Sequence, residues 1–168
     1  MAQHTSTPVD GDTFREAMSL LAAPLTVVTT VDGYGDRKGF TASAVTSVSL
    51  DPPLILVGLS NESSCRAALT EAEGFIVNLL GAQHTVAAGQ FASRNTDRFA
   101  GLDFEDWPGS GLPFLADASA VLHCRTADLL PVGDHQLLIG EVTGVRVHGS
   151  SEPLLWHRRA FHSASPVG

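Results

Sequence analysis

An antiparallel β-barrel or sandwich decorated by a few short helices is the architecture that this sequence predicts. Three observations point to it. Sixteen glycines and nine prolines in 168 residues cut the chain into short pieces and disfavour a helical bundle. Runs rich in β-branched and aliphatic residues, LTVVTTV at 25–31 and LILVGLS at 54–60, are bounded by turn-forming clusters. The order is one helix, then many strands, with short helices inserted mid-chain. A parallel sheet would instead alternate strand and helix throughout.

The elements follow in order. Residues 1–11 read as a flexible arm. A helix follows, with Thr13 as its cap, Glu16 completing a capping box, and Phe14, Ala17, Met18 and Leu21 on one face. Pro24 is expected to end it. Residues 25–31 form a strand and DGYGD at 32–36 a turn. Arg37 to Val48 return as one irregular strand. DPP at 51–53 is a turn into the strand 54–60. Ser63 or Ser64 caps a helix through Leu69, and GFIVNLL at 74–80 is again a strand. His84 to Ala92 read as helical, DRFAG at 97–101 closes that region, and 105–113 form a loop. Two long strands, Ala118–Leu130 and Gln136–His148, flank the turn PVGDH at 131–135. Pro153 to Phe161 make a last strand, and 163–168 a flexible tail.

Composition narrows the function. Hydrophobic residues are 43% and charged ones 17%, so the chain buries a core and is not disordered. The length fits one domain. The net charge of −8 argues against nucleic acid, which needs a basic face. The longest apolar run, Pro53 to Leu59, is strand-sized, far below the roughly 20 residues of a membrane span. MAQHTSTPVDGD carries no basic cluster before an apolar stretch, so no secretory signal is expected. Cys65 and Cys124 read as reduced, packed thiols of a cytoplasmic protein, with a disulfide or a catalytic thiol as alternatives.

Familiar catalytic signatures are missing. The sequence has no glycine-rich nucleotide loop, no nucleophile elbow, no His-Glu-x-x-His pattern and no conspicuous carboxylate pair, so no metal is expected. The unusual segment is GFTASAVTSVSLDPPLILVGLS at 39–60. Its hydroxyls at Thr41, Ser43, Thr46, Ser47 and Ser49 alternate with small or β-branched residues. Two readings are open: an edge strand with hydroxyls in water, or a wall that lets a flat ligand approach the backbone.

That segment resembles the short-chain flavin reductases, which supply reduced flavin to two-component monooxygenases. The resemblance rests on FREAMSLLAAPLTVVTT, on DGYGDRKGFTASAVTSVSLDPPLILVGL, on FIVNLL at 75–80 and on FASRNTDRF at 91–99. GDH at 133–135, GEV at 140–142 and PLLWHRRAF at 153–161 extend it, so that it covers residues 12–162 as one domain. Phe40 stands where the family commonly has methionine. Trp156, His157 and Phe161 depart from its usual aromatics.

The resemblance implies a mainly β, FMN-binding split β-barrel, a homodimer, and a flavin groove near the subunit interface. It implies that Thr41, Ala42 and Ser43 meet the isoalloxazine and that Ser47, Val48 and Ser49 line the same wall. Ser60, Asn61, Ser63 and Ser64 would hold the phosphate end, with Ser64 at a helix start whose N–H groups favour an anion. Asn78 and Leu79 would offer backbone contacts. Phe91, Ala92 and Ser93 would border the flavin, and Arg98 would add charge. His135 would position the nicotinamide, with Arg158 and Phe161 at the dinucleotide end. The implied reaction is hydride transfer from NADH or NADPH to FMN or FAD, with a flavin-dependent monooxygenase as partner. The alternative is a non-catalytic flavin-binding or accessory split-barrel protein. A relative of the pyridoxamine phosphate oxidases is a further possibility.

Overall fold

The computed structural model describes residues 8–94, 96–149 and 152–167. Helix α1 spans Gly11–Ser19 and begins earlier than a Thr13 cap would allow. Asp10 caps it instead: its carboxylate accepts from the backbone N–H groups of Asp12 and Thr13, both at 3.0 Å. The helix stops at Ser19, and Pro24 belongs to the short strand β1 (Ala23–Pro24). No residue of α1 is buried; Phe14, Met18 and Leu21, the expected core face, stay exposed.

Strands β2 (Thr26–Val31) and β3 (Arg37–Ala42) form a hairpin. Its turn is fixed by Asp32, whose Oδ1 accepts from the N–H groups of Tyr34 and Asp36 at 2.9 Å. The expected single strand 37–48 is in fact two. The chain turns at Ser43 and Ala44, and β4 (Val45–Leu50) pairs with β5 (Pro53–Ser60) across a turn with a cis Asp51–Pro52 bond. Helix α2 (Arg66–Glu71) has Cys65 at its cap, so neither Ser63 nor Ser64 caps it. Strand β6 (Gly74–Leu79) follows, then a 3-10 turn at Ala82–His84 that runs into α3 (Thr85–Ala92).

Both ends of the expected loop 105–113 belong to a small hairpin of β7 (Phe104–Asp106) and β8 (Pro113–Leu115). The long strands are β9 (Ala120–Val132) and β10 (His135–Val147), joined by the two-residue turn Gly133–Asp134. The last expected strand is also a hairpin, β11 (Leu154–His157) and β12 (Ala160–Ser163). Its turn residues, Arg158 and Arg159, both hold positive φ, 50° and 61°, as a tight hairpin turn demands.

One seven-stranded sheet carries the fold, in the order β3-β2-β6-β9-β10-β5-β4. Its neighbours pair antiparallel throughout. Its two edges, β3 and β4, are consecutive in the chain with only Ser43 and Ala44 between them. The sheet must therefore roll until those edges meet at one end, while no ladder joins them along their length. This is a split barrel. Val28, Val57, Leu59, Phe75, Val77 and Leu138 fill its interior. The alternate residues Val27, Ile76 and Val121 face outward into a second core, closed by Phe91 of α3, by Phe114 and Leu115 of β8 and by Leu154 of β11. Among the described residues, no helix is long and apolar enough to cross a membrane.

Candidate active site

The edge strand β3 borders two grooves, one shared with helix α3 and one with the loop that follows it. Gly39 lets strand and helix meet: a Cβ there would lie 2.7 Å from the Phe91 ring and 2.9 Å from the Val28 carbonyl. Two residues on, the Thr41 hydroxyl donates to the Ala88 carbonyl at 2.6 Å. The first groove, about 370 Å³, lies beside this contact. Thr41, Ser43, Ala88, Gly89 and Ala92 give it small walls, and Leu25, Trp156 and Phe161 close it. Trp156 and Phe161 meet edge to face at 5.3 Å. The lining is mostly apolar, with two hydroxyls, which suits a flat heteroaromatic ring.

The second groove, about 310 Å³, is cationic. Arg37, Lys38, Arg94 and Arg98 line it with Ser64 and Thr96, against Asp97 as the one acid among the described lining residues. Arg98 also organises the place. Its Nε donates to the Ser93 carbonyl at 2.9 Å, and its Nη1 donates to the Gly39 carbonyl at 2.8 Å and lies 3.0 Å from Cys65 Sγ. One side chain thus ties the open edge of β3, the end of α3 and the start of α2. Gln90 Nε2 lies within 3.1 Å of the carbonyls of Asp97, Arg98 and Ala100 and holds that loop in place. Lys38 stays charged beside Asp32, whose hydrogen bond raises its pKa. Arg94 is the least committed cation, 3.8 Å from Glu62 with both side chains largely in water. An acidic protein thereby concentrates positive charge at one groove.

A third group lies where β10 begins. His135 pairs across from Ser60, the Asn61 N–H donates to the Asp134 carbonyl at 2.9 Å, and Gln136 Nε2 donates to Asn61 Oδ1 at 3.1 Å. His135 Nδ1 is 2.7 Å from Asp134 Oδ1, and that bond holds the Asp134 carboxyl below its ordinary pKa.

The remaining candidates sit as follows. Ala42 and Phe91 are buried. Asn78 is fully buried and spends its amide on the protein: Nδ2 donates to the Val27 carbonyl at 2.8 Å, and Oδ1 accepts from the Leu115 N–H at 2.8 Å. Leu79 shares that central strand, paired with β2 on one side and β9 on the other. Ser47, Val48 and Ser49 lie on the edge strand β4, where a bulge at Val48 interrupts the ladder. Ser63 Oγ accepts from the Cys65 N–H at 3.2 Å. Ser64 reaches the cationic groove, but helix α2 begins only at Arg66, so Ser64 is not at a helix start. The N–H of Arg158 donates to the Ser19 carbonyl at 2.7 Å, and Arg159 faces Glu16 at 3.6 Å, so this hairpin tip anchors α1.

Sequence reasoning missed Leu25, Ala88 and Gly89 in the apolar groove and Arg37, Lys38 and Arg94 in the cationic one. The two basic residues directly before GFTAS, and the arginine inside FASR, were the available signal.

A family model described as the flavin reductase like domain matches residues 18–165. The chain belongs to the flavin reductase-like family. Among its relatives is the NADH:riboflavin 5'-phosphate oxidoreductase of Streptomyces pristinaespiralis, 47% identical over 160 residues, covering 95% of this chain and 91% of that one. The flavin reductase (NADH) of Kitasatospora aureofaciens is 40% identical, covering 91% of this chain and 81% of its own. Among solved structures, the NADH:FAD oxidoreductase of Streptomyces globisporus C-1027, in complex with NAD and FAD fragments, superposes with a TM-score of 0.87 at 31% identity, covering 96% and 98% of the two chains. The styrene monooxygenase flavin reductase of Pseudomonas putida S12 gives 0.82 at 32%, covering 92% and 98%.

Proposed function

We propose that this flavin reductase-like protein transfers hydride from NADH, or NADPH, to FMN or FAD and passes the reduced flavin to a partner monooxygenase. The single observation that carries the reading is the pairing along β3 of an apolar groove with a cationic one. A flavin nucleotide has the same two-part chemistry, a flat ring and a phosphate. The relatives' NADH and flavin chemistry supports the same assignment.

When bound, the two cofactors would supply the chemistry, a hydride passed from the dihydronicotinamide to the flavin. The protein's residues bind and orient. Thr41 and Ser43 offer hydroxyls to the polar edge of the ring, and Ala88, Gly89 and Ala92 let it lie close. Ser64, Arg94 and Arg98 hold the phosphate. Phe161 and Trp156 would shield one side of a bound ring, and hydride transfer needs the reacting atoms about 3–3.5 Å apart. His135, with Nδ1 engaged by Asp134, presents Nε2 to the nicotinamide carboxamide. Ser47 and Ser49 extend the wall. Asn78, Leu79 and Ala42 serve the fold beneath it.

We also place the protein in the cytoplasm as a homodimer. Two unpaired buried cysteines suit a reducing compartment. The uncovered apolar face of α1 suits a second copy.

The deciding experiment follows loss of nicotinamide absorbance with FMN and FAD against both NADH and NADPH. Turnover above the flavin-only control is expected. Its absence with all four pairs overturns the reductase reading and leaves a flavin-binding accessory protein. In the same assay His135→Ala should raise the NADH KM about fivefold, near 1 kcal/mol, with flavin affinity unchanged. Unchanged kinetics would make His135 a turn residue only.

A further inference from the structure

A third groove, about 630 Å³, shares no lining residue with the two described above. The β7–β8 hairpin tip, β9 and β10 bring Ser110, His123 and Thr143 together there. His123 Nδ1 is 2.7 Å from Thr143 Oγ1, the Thr143 hydroxyl donates to the His123 carbonyl at 3.3 Å, and His123 Nε2 is 3.1 Å from Ser110 Oγ. For a neutral imidazole, only one polarity makes all three bonds at once. Thr143 gives its proton to the carbonyl, Nδ1–H donates to Thr143, and Nε2 accepts from Ser110.

The geometry is held from several sides. The His123 ring stacks on Trp107 at 5.2 Å and 22°. The indole packs directly against β10 because residue 144 is glycine; a Cβ there would sit 2.6 Å from it. Arg146 covers the indole at 4.8 Å. Ser110 stands at the loop tip between Gly109 and Gly111, which take φ of 87° and 69°. The Leu112 N–H donates to Ser110 Oγ at 3.4 Å and leaves the serine proton for the imidazole.

We propose that Ser110 is a nucleophile activated by His123, a second reactive site that accepts the acyl group of small uncharged esters. Ser110 Oγ bonds to the ester carbonyl carbon and the carbon–alkoxide bond breaks. The serine proton passes to His123 Nε2 and from there to the departing oxygen. No electron is exchanged. Thr143 is a positioning residue that fixes the tautomer. Burial holds His123 below the ordinary histidine pKa, so the ring is a neutral base at neutral pH. Cys124 lines the same groove, but burial pushes its thiol up to about 12, so it does not compete. The Ser110 and Gly111 N–H groups both donate to the Trp107 carbonyl. Acylation therefore draws on the base rather than on an oxyanion hole, and one stable acyl group per chain is the expected product.

The test incubates the full chain with p-nitrophenyl acetate, and separately with a fluorophosphonate, and maps the modified residue by peptide mass spectrometry. Ser110 should carry the label. Ser110→Ala should lose it while thermal melting and flavin reduction stay unchanged. His123→Gln should slow acylation roughly a hundredfold, and Thr143→Val by less. The wild-type rate should fall only as pH drops below the ordinary histidine range. Labelling of another residue, no labelling of the folded wild type, or equal rates in folded Ser110→Ala overturns the proposal.

Discussion

The grooves along β3 and the groove beside His123 differ in what their side chains can do. The first pair offers small walls, four hydroxyls and several cations, but among the described residues no hydrogen-bonded base and nucleophile. The other carries a serine, an imidazole and a threonine in one proton chain, but neither a cluster of cations nor a flat slot. The difference separates two routes to reactivity on one barrel. Where ligands bring the reacting atoms, the protein supplies shape and charge. Where a side chain reacts, the protein must supply a base and fix its tautomer. The lack of a catalytic signature in the sequence is therefore what a hydride-transfer site between two cofactors should look like.

The largest expected effect comes from filling the slot. Ala92→Trp should remove the apolar groove and lower kcat/KM for flavin reduction at least about a hundredfold, or about 2.7 kcal/mol. Acylation at Ser110 should stay at the wild-type rate. Steady-state kinetics and labelling on one preparation check both, and equal losses in the two assays would mean a misfolded variant. The charge contrast is tested next. Arg94→Ala should weaken FMN about fivefold, near 1 kcal/mol for an exposed cation, and leave riboflavin, which lacks the phosphate, nearly unaffected. Titrations with both flavins at low and high salt would show it; equal weakening of the two would remove Arg94 from the phosphate site.

The smallest effect concerns the His135 turn. The bond from His135 holds the Asp134 carboxyl below its unfolded value. Its contribution to stability is thus present above the unfolded carboxylate pKa of about 3.9 and is lost as pH falls through the lower folded value. Asp134→Asn should melt slightly below the wild type at neutral pH, where the contribution is present, and converge on it as pH falls through that window, which flattens the acid side of the curve. An unchanged acid limb would show that the bond adds nothing to the fold.

Much of the fold was legible because the periodic and turn signals are local. The strands at 25–31, 54–60 and 74–80 and the two long strands lie close to their expected places. The errors share a cause. Ser43–Ala44 carries no glycine or proline, so the break between β3 and β4 left no mark; the roll of the sheet makes it. Arg158–Arg159 lacks the usual Asn-Gly signal, so the closing hairpin read as one strand. Thr13 matched a capping box, but Asp10 lay one turn earlier with a carboxylate to offer. For the site, the segment 39–60 marked the β3 wall. It could not show that Asn78 turns inward or that Ser64 stands before rather than at a helix start.

By itself, the sequence determined the class of fold and the family, because hydrophobic period, turn residues and motif spacing are written in neighbouring positions. Tertiary structure alone decided which charges and hydroxyls stand together. Arg37, Lys38, Arg94 and Arg98 are scattered along an acidic chain and meet only when β3 and the loop after α3 close on each other. Ser110, His123 and Thr143 come from a hairpin tip and two long strands, and a proton chain exists only at hydrogen-bond distance.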